Sequence, residues 1–358
     1  MTMNERQIGA KVSLAVKYRP KCWEDVTEQS VVRDILENQV RTKTVQSAYL
    51  FTGPSGTGKT TSARIFASMI NDGKGNPIEV DAASNSGVDN IRQIIDNAKR
   101  KPLDAEYKIF IVDECHSLSN GAWQALLKTL EEPPKFTIFI FCTTDPQKIP
   151  NTILSRVQRY NFQKISNEGI VERLEHICLM ENSQDVNDPN LTDIGDIIRY
   201  PEALEYIAKV CNGGMRDAIT LLDKCLSLSH DLTLENVLKT IGGEDYSTFI
   251  TFLSALLERE KETSIKVVED VYNAGKDVKQ FMKDFAKFIL EVEKYALYQN
   301  FNYINLPNTL EDELEQLIDD SLFGVMDFVV SLNNQIKWEN DAKTLIELSI
   351  LIYCGKEN

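Results

Sequence analysis

The stretch Gly53-Pro54-Ser55-Gly56-Thr57-Gly58-Lys59-Thr60 fits the pattern G-x-x-x-x-G-K-[ST], whose chemistry is the grip of a nucleoside triphosphate. Its glycines let the backbone curl so that N–H groups point inward around phosphate oxygens. A helix opening where the loop ends adds partial positive charge. Lys59 is spaced to reach the terminal phosphates, and the Thr60 hydroxyl to ligate Mg2+. Further along stands Asp113-Glu114, directly after the apolar run Ile109 to Val112. Alone, an acidic pair is equally a surface turn. Downstream of a phosphate loop it reads as chemistry: Asp113 holds the magnesium through water, and Glu114 orients and deprotonates the water that attacks the γ-phosphate. His116 follows and could itself be a base; with Glu114 present it reads as a structural or sensing position.

These groups need a scaffold that delivers strand ends and helix starts to one place. Four strands are expected: Ala48 to Phe51, Ile78 to Asp81, Ile109 to Val112 and Thr137 to Cys142. The last two are apolar throughout, as strands covered on both faces should be. Helical spacing links Ile91, Ile94, Ile95 and Ala98, with a capping sequence at Ser86 to Asp89. Trp123, Leu126, Leu127 and Leu130 form a second stripe, which Pro133-Pro134 ends. Strand–helix alternation predicts a parallel sheet with helices on both sides. Beyond residue 164 the strand signal fades. Residues 164–242 read as a small helical bundle, with Leu204, Ile207, Ala208 and Cys211 on one stripe, Gly213-Gly214 as a break and Met215 opening the next helix. A boundary is expected at Gly242-Gly243. Residues 243–358 read as helical again, with stripes Phe281-Phe285-Phe288-Val292 and Leu314-Leu317-Ile318-Leu322. The last helix, near Leu345 to Cys354, is apolar almost all round and needs burial on several sides, in its own bundle or against neighbouring subunits.

Composition narrows the class. The 358 residues suggest two or three domains. No apolar run is long enough to span a membrane, and Met1 to Ala10 has no signal-like core, so a cytoplasmic home is expected. Seven scattered cysteines without a Cys-x-x-Cys pair argue against a disulfide framework and against structural zinc. The net charge of −15 is uneven: residues 1–163 hold 21 Lys+Arg against 18 Asp+Glu, the remainder 18 against 36. Any approach to phosphates therefore belongs to the N-terminal part, while the acidic remainder is also what a solvated helical region would show.

Several segments together resemble the gamma/tau ATPase family of the bacterial DNA polymerase III clamp loader, of the AAA+ class. They are Lys17-Tyr18-Arg19-Pro20, the phosphate loop, Glu79 to Asn85, Asp113 to Ser119, Ala125 to Pro134, and Thr143 to Pro150 followed by Thr152-Ile153-Leu154-Ser155-Arg156. The specific motifs cover about residues 11–225. The resemblance implies an α/β P-loop AAA+ core with a parallel five-stranded sheet (1–163), a small helical lid (164–242) and a C-terminal all-α collar for oligomerisation (243–358). It implies that Tyr18, Arg19 and Pro20, with Ala15, Val26 and Thr27, flank the adenine. Thr61 joins the phosphate loop, and Met215 with Arg216 reaches the nucleotide from the lid. Thr144 looks like the polar sensor of the γ-phosphate, ahead of Thr143. Arg156 looks like an arginine finger for the neighbouring subunit's ATP, and Arg216 like a second sensor for the chain's own ATP. A fixed planar cation is suited to neutralise charge on a transferring phosphoryl group.

The resemblance further implies ATP and Mg2+ as cofactors, and assembly with copies of itself and with delta- and delta-prime-like subunits. It implies a sliding clamp as partner and primer–template DNA held by its backbone, with no membrane contact. Candidate DNA contacts are Ser86, Arg92 and Asn120, at helix starts whose N–H groups can meet phosphate. The sequence departs from the family where a four-cysteine zinc module is usual. Only Asn71-Asp72-Gly73-Lys74-Gly75-Asn76-Pro77 stands there, and no zinc is expected. Val157 replaces a usual Cys, Gly214 a usual Ser, and Glu28 a usual Gly. A chain this short suits a phage or a divergent bacterium; in a phage its home would be the host cytoplasm. The alternative function is another AAA+ DNA motor, of the helicase-loading or branch-migration type. A non-hydrolysing scaffold subunit should lack one of Lys59, Glu114 or Arg216, and all three are present.

Overall fold

A computed structural model describes residues 12–185, 197–241, 246–319 and 321–355. The expected boundary at Gly242-Gly243 and the Met1 to Ala10 segment lie outside the described residues. The chain forms two compact units. One is built on the chain up to Ile197 together with Ile207–His230; the other comprises Ile198–Tyr206 and the chain from Asp231 onward.

In the first unit the elements run α1 (Leu14–Lys17), α2 (Ser30–Thr42), β1 (Ala48–Thr52), α3 (Lys59–Ile70), β2 (Ile78–Asp81), α4 (Val88–Ala98), β3 (Lys108–Asp113), α5 (Asn120–Glu131), β4 (Thr137–Thr143), α6 (Asn151–Leu154), β5 (Gln158–Asn161) and α7 (Asn167–Asp185). Two short strands follow in the chain, β6 (Ile198–Arg199) and β7 (Asp231–Leu232), which pair in parallel; between them lie α8 (Pro201–Cys211) and α9 (Met215–Leu228). Pure helix was expected in this stretch, so that pair is a departure. Two residues per strand leave no hydropathy period to read.

β1 to β5 form one parallel sheet in the order β2-β3-β4-β1-β5. Alternation along each strand sends side chains to opposite faces. Leu50, Phe110, Val112, Phe139 and Phe141 pack against α4 and α5 through Ile91, Ile95, Trp123 and Leu126. Tyr49, Phe51, Ile109, Ile111 and Ile140 pack against α2 and α3 through Leu36, Ala63, Phe66 and Ile70. β1 and β4 are fully buried, as their continuous apolar runs require. The expected helical stripes are the buried faces, with Ile94 and Leu127 only partly covered. The cap at Ser86 to Asp89 does not form. Gly87 occupies the N-cap of α4 with no side-chain bond, while Ser119 caps α5, its Oγ accepting from Ala122 N at 3.2 Å.

The second unit continues with α10 (Leu234–Ile241), α11 (Tyr246–Leu257), α12 (Lys261–Asn273), α13 (Val278–Tyr298), α14 (Glu311–Leu317), α15 (Leu322–Ile336) and α16 (Ala342–Gly355). Phe281, Phe285, Phe288 and Val292 are buried on α13 as expected. The Leu314 to Leu322 stripe is not one helix: α14 ends at Leu317, Ile318 is exposed, and Leu322 begins α15. α16 buries Ala342, Ile346, Ile350 and Cys354 at four-residue spacing, while Leu348, Leu351 and Ile352 stay exposed. Among the described residues no helix is long and apolar enough to cross a membrane.

Candidate active site

Strand β1 delivers the chain into the loop Gly53 to Gly58, and α3 begins at Lys59. Gly53 has φ +145°, and a Cβ there would stand 2.3 Å from the Phe162 carbonyl oxygen. Only glycine lets the loop pass so close to the chain leaving β5. Gly58, the N-cap of α3, lies in the left-handed region at φ +93°. Gly53→Ala therefore forces backbone to move, at about 1–3 kcal/mol of strain. Binding of a labelled nucleoside triphosphate is expected to weaken by roughly tenfold in a fluorescence titration, since about 1.4 kcal/mol is tenfold.

A cavity of about 280 Å³ opens at this loop. Lys59, Thr60 and Thr61 line it at the start of α3, with Ser55, Gly56, Thr57 and Gly58 of the loop. Asp113 and Glu114 enter from the end of β3. The N-terminal segment contributes Ala15, Tyr18, Arg19 and Pro20, then Val26 and Thr27, while Met215 and Arg216 come from the start of α9. Gly53 and Pro54 shape the loop without lining the cavity: Lys59 Nζ donates to their carbonyls at 2.9 and 2.7 Å. Burial pulls the Lys59 ammonium below its usual range, a shift that Glu114 and Asp113 oppose.

Thr60 Oγ1 donates to Asp113 Oδ2 at 2.8 Å, and Glu114 N to Asp113 Oδ1 at 3.0 Å. A hydroxyl beside a carboxylate, both facing the phosphate loop, is an oxygen donor set of the kind Mg2+ takes, so the residues fit that ion. Five cationic side chains against three carboxylates line the cavity, an excess suited to a polyanion. Burial, with Arg64 and Arg216 close by, lowers the Arg19 guanidinium from its usual range.

Asp25, Arg64, Ile165, Arg173 and Ile219 also line the cavity and were not anticipated. Arg64 lies four residues after Thr60 and Ile219 four after Met215, so helical periodicity could have projected both. Arg64 is held by a two-point pair with Glu79 at 2.6 and 2.5 Å. Arg173 arrives on α7 and carries no local signal; its Nη2 donates to Tyr18 O at 3.1 Å. Tyr18 OH donates to Glu181, on the same helix, which also pairs with Lys17 at 2.7 Å. Burial and that acceptor hold the Tyr18 hydroxyl well above its usual range. Glu28 has φ +58°; its carboxylate accepts from Ser166 Oγ at 2.5 Å, just before α7.

The two threonines at the end of β4 divide. Thr143 is buried, and its Oγ1 accepts from Asp145 N at 3.0 Å and meets His116 Nδ1 at 3.1 Å. Thr144 Oγ1 donates to Glu114 Oε2 at 3.2 Å and meets the cavity only through that carboxylate. Arg156, just after α6, does not line the cavity; it pairs with Glu131 at 2.6 Å and donates to Thr152 O. Among the described residues no ion pair holds Arg216. Ser86 and Asn120 are brought together, since Ser119 N donates to Ser86 O at 3.2 Å. Arg92 is exposed on α4 and pairs with Asp89 at 3.0 Å. At the start of the segment Asn71 to Pro77, the Asn71 side chain donates to Tyr107 O and accepts from Tyr107 N, both at 2.9 Å. Among the described residues no group of three or more His, Cys, Asp or Glu is arranged to hold a metal.

Residues 76–166 match the family model described as DNA polymerase III, delta subunit, and residues 232–318 match DNA polymerase III subunits gamma and tau domain III. The DNA polymerase III subunit tau of Bacillus subtilis (strain 168) is 34% identical over 363 residues, covering 94% of this chain and 62% of that protein. The subunit gamma/tau of Mycoplasma genitalium (strain ATCC 33530 / DSM 19775 / NCTC 10195 / G37) is 32% identical over 312 residues, covering 81% of this chain and 50% of that protein. The chain thus spans between half and two thirds of the length of these relatives. In structure it is similar to the Thermotoga maritima RuvB Holliday junction branch migration motor, with a TM-score of 0.50 and 20% identity over 67% of this chain and 80% of that one. That likeness bears on the fold, a parallel sheet wrapped by helices with the phosphate loop after its first strand.

Proposed function

The chain belongs to the gamma/tau family of DNA polymerase III subunits, and from that premise we propose that it is the ATP-hydrolysing motor of a sliding-clamp loader. One observation carries the reading. Lys59, Thr60, Asp113, Glu114 and Arg216 converge on one cavity, while Arg156 stands outside it on Glu131. A cation borne on the chain but outside its own site suits a site completed by a neighbour.

In this reading Ala15, Tyr18, Arg19, Pro20, Val26 and Thr27 enclose the adenine. The loop N–H groups and Lys59 hold the phosphates, and Arg216 meets the γ-phosphate from α9. Thr60 and Asp113 would hold Mg2+, which would neutralise charge on the β- and γ-phosphates. Glu114 takes a proton from the attacking water, and Thr144 fixes that carboxylate. Arg156 of one subunit enters the next subunit's site and stabilises the transferring phosphoryl group. ATP binding assembles a spiral that opens a clamp, primer–template DNA completes the sites, and hydrolysis releases the closed ring. DNA is held by its backbone, with the paired starts of α4 and α5, at Ser86 and Asn120, and Arg92 as contacts. Residues 164–242 act as the lid and 243–358 as the collar that joins copies of this chain and delta-type subunits. The work is done in the cytoplasm.

The test is steady-state ATP hydrolysis by the chain assembled with delta- and delta-prime-type subunits, with and without clamp and primed DNA. Turnover is expected to rise by roughly tenfold or more when both are added, as when a trans cation completes a phosphoryl-transfer site. A stable homo-hexamer by native mass measurement, with turnover indifferent to the clamp, would instead indicate a branch-migration type of motor.

A further inference from the structure

A carboxylate that must activate water works only if it is held still, since small misplacements cost large factors in rate. Glu114 sits in the left-handed backbone region, φ +46° and ψ +43°, one residue past the end of β3. Its side chain is 39% exposed at the cavity, so packing alone does not fix it. Two groups meet its Oε2: Thr144 Oγ1 at 3.2 Å and His116 Nδ1 at 3.2 Å. The imidazole is seated in turn. Its Nδ1 lies 3.1 Å from Thr143 Oγ1, which accepts from Asp145 N at 3.0 Å. His116 is thus tied to β4 as well as to the turn after β3.

We propose that His116 is a positioning residue for Glu114, holding Oε2 together with Thr144 so that Oε1 faces the attacking water. With the proton on Nδ1 the ring hydrogen-bonds to Thr143 Oγ1 and sets that N–H dipole 3.2 Å from Oε2. Thr143 orients the ring, as a third group orients the base in nucleophile–base pairs. A carboxylate has lone pairs on both oxygens, so engaging Oε2 leaves Oε1 able to accept from water. This rests on the reading of Glu114 as the hydrolytic base.

The side chain of asparagine places its amide nitrogen close to where Nδ1 stands, whereas glutamine reaches toward Nε2. The test compares His116→Ala, His116→Asn and His116→Gln in the assembled loader, reading single-turnover hydrolysis at saturating ATP and the ATP dissociation constant separately. His116→Ala is expected to slow hydrolysis by roughly tenfold or more with the dissociation constant within about twofold, a loss confined to the chemical step. His116→Asn should return the rate to within about threefold of wild type, and His116→Gln should not. Equal rates for the Asn and Gln variants would overturn the proposal, even if the Ala variant fails to fold. So would a wild-type rate in His116→Ala, or a parallel loss of binding and rate. Glu114→Gln turning over at the wild-type rate would strike the base assignment beneath it.

Discussion

Glu114→Gln is expected to bind ATP as well as wild type and to hydrolyse it roughly 100- to 10,000-fold more slowly, the range for loss of a general base. Binding should survive because the amide changes nothing in the loop backbone, Lys59 or Thr60, and its oxygen can still accept from Thr144. It also removes a negative charge from the cavity that must receive the triphosphate. Affinity is therefore held or raised while turnover collapses. Quench-flow on preloaded enzyme separates the two quantities. A rate within about threefold of wild type would show that another group takes the proton.

The second large effect is expected from Arg156→Ala. The residue lies outside its own subunit's cavity, so ATP binding to the isolated chain should not change. In the assembled loader, DNA-stimulated hydrolysis should fall by about 1,000-fold or more, the scale of an arginine finger supplied in trans. Folding should be spared, because the Arg156–Glu131 pair is partly exposed and such pairs contribute about 0–1 kcal/mol. Stimulated turnover unchanged in the variant assembly would remove the trans role and leave Arg156 an ordinary surface cation.

The parts legible in sequence were those whose physics is local. The phosphate loop must place its glycines at fixed spacing, and the buried strands must be apolar on both faces. Thr137 to Cys142 therefore announced β4, and Ile109 to Val112 announced β3. β5 was implied only by the family resemblance: Gln158–Asn161 is an edge strand, and only Tyr160 of its four residues is buried, so no hydropathy signal marks it. The cap expected at Ser86 to Asp89 fails because Gly87 takes the N-cap position of α4, where there is no side-chain oxygen to accept an N–H. The Leu314 to Leu322 stripe failed because apolar spacing persists across the break between α14 and α15.

The candidate site divides in the same way. Lys59, Thr60, Asp113 and Glu114 could be read from motifs. Arg173 and the Tyr18–Glu181 bond could not, since tertiary folding alone brings α7 to the N-terminal segment. Thr144 against Thr143 was left by sequence to family resemblance. Their partners separate them: one hydroxyl accepts from Asp145 N and the other donates to Glu114.

As proposed, this chain uses ATP to place a ring on DNA. Transfer of a labelled sliding clamp onto a primed circular DNA, followed by gel filtration, measures that directly. With delta-type partners and ATP, the clamp is expected to co-elute with the circle in the wild-type assembly, and to remain free with Lys59→Ala. Clamp that loads equally with the Lys59→Ala assembly, or that never joins the circle with an ATP-hydrolysing wild-type assembly, would contradict it.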